Sequence, residues 1–234
     1  MKKWILWSSV AVIGCMAACK DENEKLNAII TVESQFQTTV EDWAGGFSGY
    51  SSVTNDTTLE KSFGRARLPA VLDSTKYGLR MQGYNRGDGM FMFLKKKVSG
   101  LAPGRDYKVT FDINLGTSYS ASDPGTGGSP ASSVYLKAGA SPNEPTVKLL
   151  NKVYTISIDN GTQSEGGKEM NVLGNVANGL DKNIYKLVSR SNSDNPVSVR
   201  ANSNGEIWLC VGSDSGFKDL TVLYYDKIKA TIKE

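Results

Sequence analysis

Two short polar segments carry residue types that are suited to binding a ligand rich in hydroxyl groups. They span residues 84–88 and 190–195. Recognition of a sugar needs an aromatic face against the apolar side of the ring, and planar amides, carboxylates and guanidinium groups for its hydroxyls. Trp43 or Tyr50 would supply the stacking ring. The candidate ligand-binding residues are Trp43, Tyr84, Asn85, Arg86, Asp88, Arg190, Asn192, Asp194 and Asn195.

Each of these features also has a structural interpretation. Residues 84–88 fit a polar hairpin turn, and residues 192–196 fit a turn that is capped by its own Asn and Asp side chains. Trp43 is equally suited to anchoring a hydrophobic core. From sequence alone, both interpretations stay open.

Catalysis would have to use carboxylates, because the chain contains no histidine. This excludes Ser-His-Asp and Cys-His arrangements and any metal site with histidine ligands. A glycoside hydrolase or lyase needs two carboxylates on either side of the scissile bond. Sequence spacing cannot place any two of them in that way, so no catalytic residue is assigned and the chain is expected not to be an enzyme. The candidate carboxylates are Asp88, Glu165, Glu169, Asp194 and Asp214.

Charge and cysteine content narrow the possible partners. The chain has 27 Lys and Arg against 24 Asp and Glu, and removal of Lys2 and Lys3 with a leader would leave 25 against 24. This balance gives no reason to expect nucleic acid as a partner.

Cys210 is the one cysteine after residue 19, so the folded part has no internal disulfide. It lies in an apolar run and is expected to be a buried structural thiol.

The apolar pattern predicts an all-β protein. Residues 107–115 alternate apolar and polar side chains without an error, as expected of a strand with one buried face. Residues 90–94 and 207–211 are continuous apolar runs, typical of strands buried on both faces, and Trp208 is expected in the core. Turn residues separate these runs. The sequence predicts a single antiparallel β-sandwich with long Gly-rich loops at 116–132, 161–171 and 189–196.

The last strand places one carboxylate in an unexpected position. Leu220, Val222, Tyr224, Asp226 and Ile228 share one parity, so Asp226 is predicted to lie on the buried face. A buried carboxylate needs hydrogen bonds, an ion pair or a metal ion. A structural calcium ion is therefore one alternative, and no other cofactor is expected.

The N-terminal residues have the composition of a secretory signal peptide. Two lysines precede a short apolar run from Trp4 to Ala18. Residues 16–19 resemble the lipobox of bacterial lipoproteins, which implies that Cys19 is lipidated and becomes the mature N-terminus. Residues 12–15 also fit, with Cys15 as the alternative. The following residues 20–22 resemble the surface-export signal of lipoproteins from Bacteroidetes-type bacteria, and they fit a solvated spacer equally well.

The folded part resembles the galactose-binding-like jelly rolls that include many carbohydrate-binding modules. The resemblance rests on Phe36 followed by Asp42 and Trp43, on residues 77–80, on residues 98–111 and on the closing residues 223–228. It implies a jelly-roll sandwich and often a calcium ion held by an aspartate of the last strand. The middle of the chain, through residues 127–130, 166–168, 190–196 and 212–217, also resembles a group of uncharacterised bacterial lipoproteins.

Together these observations predict three segments: a lipoprotein signal peptide (1–18), a lipidated polar tether (19–28) and a β-sandwich domain (29–234). The expected location is the outer membrane, with a lipid anchor and exposure at the cell surface. The expected function is non-catalytic binding of a glycan or polysaccharide. The alternatives are docking to another surface protein of an outer-membrane assembly, and a carboxylate-dependent hydrolase or lyase.

Overall fold

The computed structural model describes residues 29–87, 89–122 and 129–234, and nearly all of its regular structure is strand. Residues 1–28 lie outside this part, so the signal peptide, the tether and lipidation at Cys19 or Cys15 stay predictions. Asp88 also lies outside it. The strands are β1 (Ile29–Ser34), β2 (Ala44–Ser48), β3 (Tyr50–Ser51), β4 (Ser62–Arg67), β5 (Tyr77–Tyr84), β6 (Met90–Val98), β7 (Asp106–Thr117), β8 (Val134–Ser141), β9 (Val147–Leu150), β10 (Val153–Ile156), β11 (Met170–Asn175), β12 (Lys186–Ser191), β13 (Val197–Arg200), β14 (Ile207–Ser215) and β15 (Leu220–Lys233).

Three short helical segments complete the described elements. They are a 3₁₀ turn at Asp56–Leu59 and two helices of four residues, α1 (Ala70–Asp73) and α2 (Pro130–Ser133). No helix in the described ranges is long and apolar enough to cross a membrane.

Two antiparallel sheets face each other, and this confirms the predicted β-sandwich. A seven-stranded sheet has the order β12-β7-β15-β5-β4, with β1 also paired to β15 and β13 also paired to β7. A five-stranded sheet has the order β11-β8-β14-β6-β2. A small third sheet, β3-β10-β9, lies outside this pair. We call the first two the large sheet and the five-stranded sheet.

The main core lies between these two sheets and follows the predicted alternation. In β7 the residues Tyr107, Val109, Phe111, Ile113 and Leu115 are buried, while those between them are exposed or half-buried. Burial of one apolar face of each sheet removes that face from water, which is the main driving force for folding.

The outer face of the five-stranded sheet is covered as well. Phe91, Phe93 and Cys210 point away from the main core and pack against Ile156 and Ile158, in and just after β10, in a second apolar cluster. Both faces of β6 and β14 are therefore buried, as their continuous apolar runs predicted. Burial raises the pKa of the Cys210 thiol, which agrees with the expected structural role.

Two details of the sequence prediction are wrong. Residues 189–196 are not a long loop, because β12 continues to Ser191 alongside β7 and leaves only a short turn before β13. Trp208 is half-buried rather than in the core, and the Lys95 ammonium lies 5.8 Å from its ring centroid.

The predicted burial of Asp226 is also wrong, because β15 contains a bulge there. The pairing of β15 with β7 shifts register between Tyr225 and Lys227. An extra residue in one strand reverses the parity of the residues beyond it. Leu223 and Tyr225 are therefore buried before the bulge, Ile228 is buried after it, and Asp226 is half-exposed. No group of three His, Cys, Asp or Glu side chains suited to a metal ion occurs within the described ranges, and calcium stays a prediction.

Candidate functional site

Two adjoining surface cavities of about 520 and 450 Å³ form one groove beside the small sheet. Gly49 and Gly89 line both cavities and mark where they meet. We call the larger the acidic cavity and the smaller the arginine cavity. The acidic cavity is lined by Ser48, Met90, Phe91, Thr155, Ile156, Asn160, Gly161, Thr162, Gln163, Ser164, Glu165 and Asp214. The arginine cavity is lined by Tyr50, Ser51, Thr54, Leu59, Arg86, Gly87 and Val153.

The groove exists because the chain changes sheets at Gly49. Strand β2 ends at Ser48 on the edge of the five-stranded sheet, and β3 begins at Tyr50 in the small sheet. Gly49 has a φ of 83°, a conformation that glycine adopts without steric cost, and its N–H donates to the Tyr154 carbonyl at 2.6 Å. The open space between Ser48 and the end of β10 becomes part of the acidic cavity.

A buried ion pair lies under the acidic cavity. Lys137 on β8 and Asp214 on β14 both point to the outer face of the five-stranded sheet, and Lys137 is fully buried. The Lys137 ammonium donates to Asp214 Oδ2 at 2.9 Å and to the Asn160 carbonyl at 2.8 Å. Burial raises the pKa of the Asp214 carboxyl, and the Lys137 charge opposes this effect only in part.

The loop between β10 and β11 forms one rim of the acidic cavity. Its Asp159 carboxylate accepts the backbone N–H groups of Lys168 at 3.1 Å and Gly161 at 3.2 Å, and these bonds hold the pKa of Asp159 below its usual value. Gly161 has a φ of 68°, and a Cβ there would collide with the Glu165 carbonyl. The loop is thus closed on itself, and it presents Asn160, Gln163 and Glu165 to the cavity.

The predicted segment at residues 84–88 forms part of the arginine cavity. The Arg86 guanidinium stacks on the Tyr84 ring at 3.3 Å, and Arg86 Nε donates to the Thr58 carbonyl at 3.0 Å. Asn85 is buried: its Nδ2 donates to the Ser215 carbonyl at 2.9 Å and its Oδ1 accepts the Gly87 N–H at 3.1 Å. Arg86 is therefore the one of these three residues that lines the cavity, while Asn85 builds the turn and Tyr84 supports the guanidinium.

Tyr50, which also lines the arginine cavity, belongs to an aromatic pair. The Tyr50 and Tyr154 ring centroids are 4.9 Å apart, with the ring planes tilted by 36°. The Lys61 ammonium lies 4.3 Å from the Tyr50 ring centroid and donates to the Tyr50 hydroxyl at 2.8 Å. Of the two stacking rings considered from the sequence, Tyr50 lines the groove. Trp43 is buried with 2% of its surface exposed, and its Nε1 donates to Ser34 Oγ, so it cannot act as an exposed stacking platform.

The second predicted segment lies far from the first, and its turn contacts β11, where Asn171 Nδ2 donates to the Asn195 carbonyl at 2.5 Å. Tyr84 pairs with Leu220 on β15, whereas Arg190 pairs with Ile113, which pairs with Ile228. Eight residues of strand separate these positions, a distance of about 25 Å. The structure therefore does not bring the two polar segments together on one surface.

The side chains of the second segment mostly serve the backbone. Arg190 donates to the carbonyls of Asn175 at 2.9 Å and Ala177 at 3.1 Å, and burial lowers the pKa of its guanidinium. Asn192 is buried, with Oδ1 accepting the Phe111 N–H at 2.6 Å. Of the four candidate binding residues in the segment, Asp194 and Asn195 are exposed.

Sequence reasoning named Asp214 and Glu165 only as loose carboxylate candidates and missed the role of Lys137. Lys137 alternates with the core residues Leu136 and Ala138, so it lies on the outer face of β8. The pattern along one strand cannot show that a hairpin more than ten residues later covers that face. The sequence did contain one indication of a buried ion pair: the carboxylate of Asp214 lies at an outward-facing position of another apolar strand.

No protein-family model matches the chain, and no curated protein matches it. Solved structures with a similar course of the chain include the carbohydrate-binding module TmCBM27, studied for specific mannan recognition (8% identity, 88% of this chain and 99% of that one, TM-score 0.37). A putative sugar binding protein from Bacteroides thetaiotaomicron has 9% identity over 86% of this chain and 91% of its own, with a TM-score of 0.39. The K3 cleaved adhesin domain of Lys-gingipain from Porphyromonas gingivalis has 9% identity over 87% and 99%, also with a TM-score of 0.39. Similarity at this level is no basis for transferring a ligand, and the function is argued from the groove.

Proposed function

We propose that this chain is a non-catalytic glycan-binding protein and that the groove is its binding site. The observation that carries the proposal is the arginine cavity, where Tyr50 and the stacked Arg86 guanidinium line a concave surface together with apolar Leu59 and Val153. A sugar offers apolar C–H faces and a ring of hydroxyls, so it needs such a mixture of aromatic, apolar and planar polar groups.

The rigidity of these groups supports the same function. Arg86 is held by the Tyr84 ring and by the Thr58 carbonyl, and Tyr50 is held by Tyr154 and Lys61. Side chains that are already fixed lose little conformational entropy when a ligand binds. A groove of two joined cavities also suits an elongated ligand such as an oligosaccharide better than a compact one.

We further propose that the protein is a lipoprotein at the outer-membrane surface, anchored through Cys19 or, alternatively, Cys15. The support is the leader sequence and its resemblance to a lipobox. Metabolic labelling with a palmitate analogue tests this. We expect label in the wild type and in the Cys15→Ser variant but not in Cys19→Ser, whereas an unlabelled wild-type protein would contradict the anchor.

Docking to another surface protein is the second candidate function. It is favoured by the β9–β10 hairpin of the small sheet, where Leu150 and Val153 are 55% and 38% exposed. These two residues are paired directly across the hairpin, so their side chains lie on the same face, and adjacent exposed apolar side chains often mark an interaction site.

Binding of oligosaccharides to the purified protein, measured by calorimetry, tests the glycan proposal. We expect Tyr50→Ala and Arg86→Ala to weaken binding about tenfold each, which corresponds to about 1.4 kcal/mol. Arg105→Ala is the matched control, because Arg105 is exposed and does not line the groove. Equal binding by all three variants would remove the groove as the site. A parallel assay for released reducing ends tests the hydrolase alternative, since Glu165 and Asp214 line one cavity.

A further inference from the structure

One oxygen of Asp214 faces the acidic cavity without a hydrogen-bond donor from the described residues. Asp214 keeps only 8% of its surface exposed, yet it is one of the residues that line the cavity. Its Oδ2 accepts the Lys137 ammonium, and Oδ1 has no donor in the part of the chain that the structure describes. This oxygen is open to the cavity rather than fully buried, so it can accept a donor from a ligand.

The sign of the charge around this oxygen is also defined. Among the described residues that line the acidic cavity, the charged ones are Asp214 and Glu165, and both are acidic. The nearest cation, Lys137, is fully buried and its ammonium is already bonded to Asp214 and to the Asn160 carbonyl. A ligand that enters this cavity therefore meets two carboxylates and neutral polar groups, and no cation among the described lining residues.

The position of the carboxylate is fixed before any ligand binds. Lys137 joins Asp214 to Asn160, so a single ammonium holds both the acceptor at the base of the cavity and the loop at its rim. The bonds that close this loop around Asp159 hold the rim in the same arrangement. A preorganised acceptor discriminates between ligands more strongly than a mobile one, because it cannot turn away from an unsuitable group.

We propose that the acidic cavity is a subsite for a neutral or amino-bearing sugar unit, whose hydroxyl or ammonium donates to Asp214, and that it excludes uronate and sulfated units. This inference rests on the proposed function and names its ligand class. A carboxylate or sulfate on the sugar would have no donor at Asp214 and would be repelled by both acidic residues.

Calorimetric titration of the wild-type protein with three oligosaccharides tests the ligand class. The probes are cellohexaose, which is neutral, a fully deacetylated chitosan hexamer, which is cationic, and hexagalacturonate, which is anionic. We expect the first two to bind, and hexagalacturonate to bind at least tenfold more weakly than either. Hexagalacturonate binding as tightly as the other two overturns the subsite assignment while leaving glycan binding intact. If none of these or other glycans binds, the proposed function itself fails.

Variants at the ion pair test the residue. Asp214→Asn leaves the buried Lys137 charge without a partner, so the double variant Lys137→Met/Asp214→Asn is made beside it to remove both charges. We expect either variant to lose at least tenfold in affinity for cellohexaose. Asp106→Asn is the control for the loss of one acidic charge, because Asp106 is exposed and lines neither cavity of the groove, and it should change that affinity less than threefold. Wild-type affinity in the double variant overturns the role of Asp214.

If these variants do not fold, a measurement on the wild-type protein tests the same contact between the sugar and Asp214. Carbon-13 NMR of the Asp214 carboxyl group, assigned by selective labelling, follows its titration with and without saturating cellohexaose. A hydroxyl that donates to the carboxylate favours the charged form, so the pKa of Asp214 should fall on binding. An Asp214 titration that is the same with and without the sugar would contradict the contact.

Discussion

The turn at residues 84–87 and the segment at residues 190–195 have similar compositions but opposite uses of their polar side chains. In the second segment, Arg190 donates to backbone carbonyls, and the Asn192 side chain accepts the Phe111 N–H. In the first, Asn85 is buried and bonds only to the backbone, whereas Arg86 donates its Nε–H to the Thr58 carbonyl and still lines the wall of a cavity. The difference shows that a polar side chain can bind a ligand only where the neighbouring backbone N–H and carbonyl groups have other hydrogen-bond partners.

The comparison predicts that the second segment matters for stability and not for binding. Replacement of Asn192 by Ala should lower the free energy of unfolding by about 2–3 kcal/mol, because it leaves the buried Phe111 N–H and Val109 carbonyl without their side-chain partner. Glycan affinity of the folded fraction should stay unchanged. Urea unfolding and calorimetry measure the two quantities.

Asn195→Ala is the matched control for this prediction. Asn195 is exposed, and it enters the turn through its backbone N–H, which donates to the Asn192 carbonyl at 2.9 Å. Loss of its side chain should leave stability nearly unchanged. If Asn192→Ala weakened glycan binding as strongly as Tyr50→Ala, the assignment of the binding site to the groove would be wrong.

The corresponding asparagine of the first segment should affect both properties. Asn85→Ala removes the bonds to the Ser215 carbonyl and the Gly87 N–H, and we expect a loss of about 1–2 kcal/mol in stability. Because Asn85 fixes the turn that carries Arg86, affinity should also fall, by roughly fivefold, or about 1 kcal/mol. The same unfolding and calorimetric measurements apply. An affinity that did not change would show that the turn positions Arg86 without Asn85.

The rim loop of the acidic cavity should respond to acid, whereas residues 190–195 should not. The N–H groups of Lys168 and Gly161 lower the pKa of Asp159 in the folded state below the value of 3.8 expected in the unfolded chain. Its stabilising contribution is therefore complete above pH 3.8 and is lost as the pH falls through the lower, folded-state pKa. Amide hydrogen exchange of Gly161 and Lys168 should accelerate, relative to other loops, in that acidic range. Asp159→Asn should show the faster exchange already at neutral pH, and equal exchange rates in the two proteins would contradict this role.

The sequence allowed prediction of the strands but not of the site, and the reason is the range of the interactions. Alternation in β7 follows directly from which face is buried, so each residue from Tyr107 to Leu115 reports its own environment. The bulge at Asp226 depends on pairing with β7, a strand more than a hundred residues earlier, and no alternation along β15 shows it.

The groove depends on still longer connections. Arg86 was recognisable because its turn chemistry is local, whereas the cavity that it lines also needs Gly49 and Val153, which come from distant parts of the chain. Lys137, Asp214 and Asn160 meet only after two sheets and a loop are assembled. Residues that act together within one turn could therefore be proposed from the sequence. The cavity that they line could not be proposed, because its other residues come from distant parts of the chain.

The smallest expected effect concerns Asp194, which looks like a binding residue by composition alone. Its side chain is exposed, and its described contact is with Ser193 Oγ at 3.5 Å, the limit of a hydrogen bond. Replacement of such a surface residue usually changes stability by less than about 0.5 kcal/mol. We expect Asp194→Ala to keep both the unfolding free energy and the glycan affinity of the wild type. A clear loss of affinity would mean that a ligand reaches the end of the sandwich that carries residues 190–195. It would also mean that the contrast between the two segments reflects two binding surfaces instead of one.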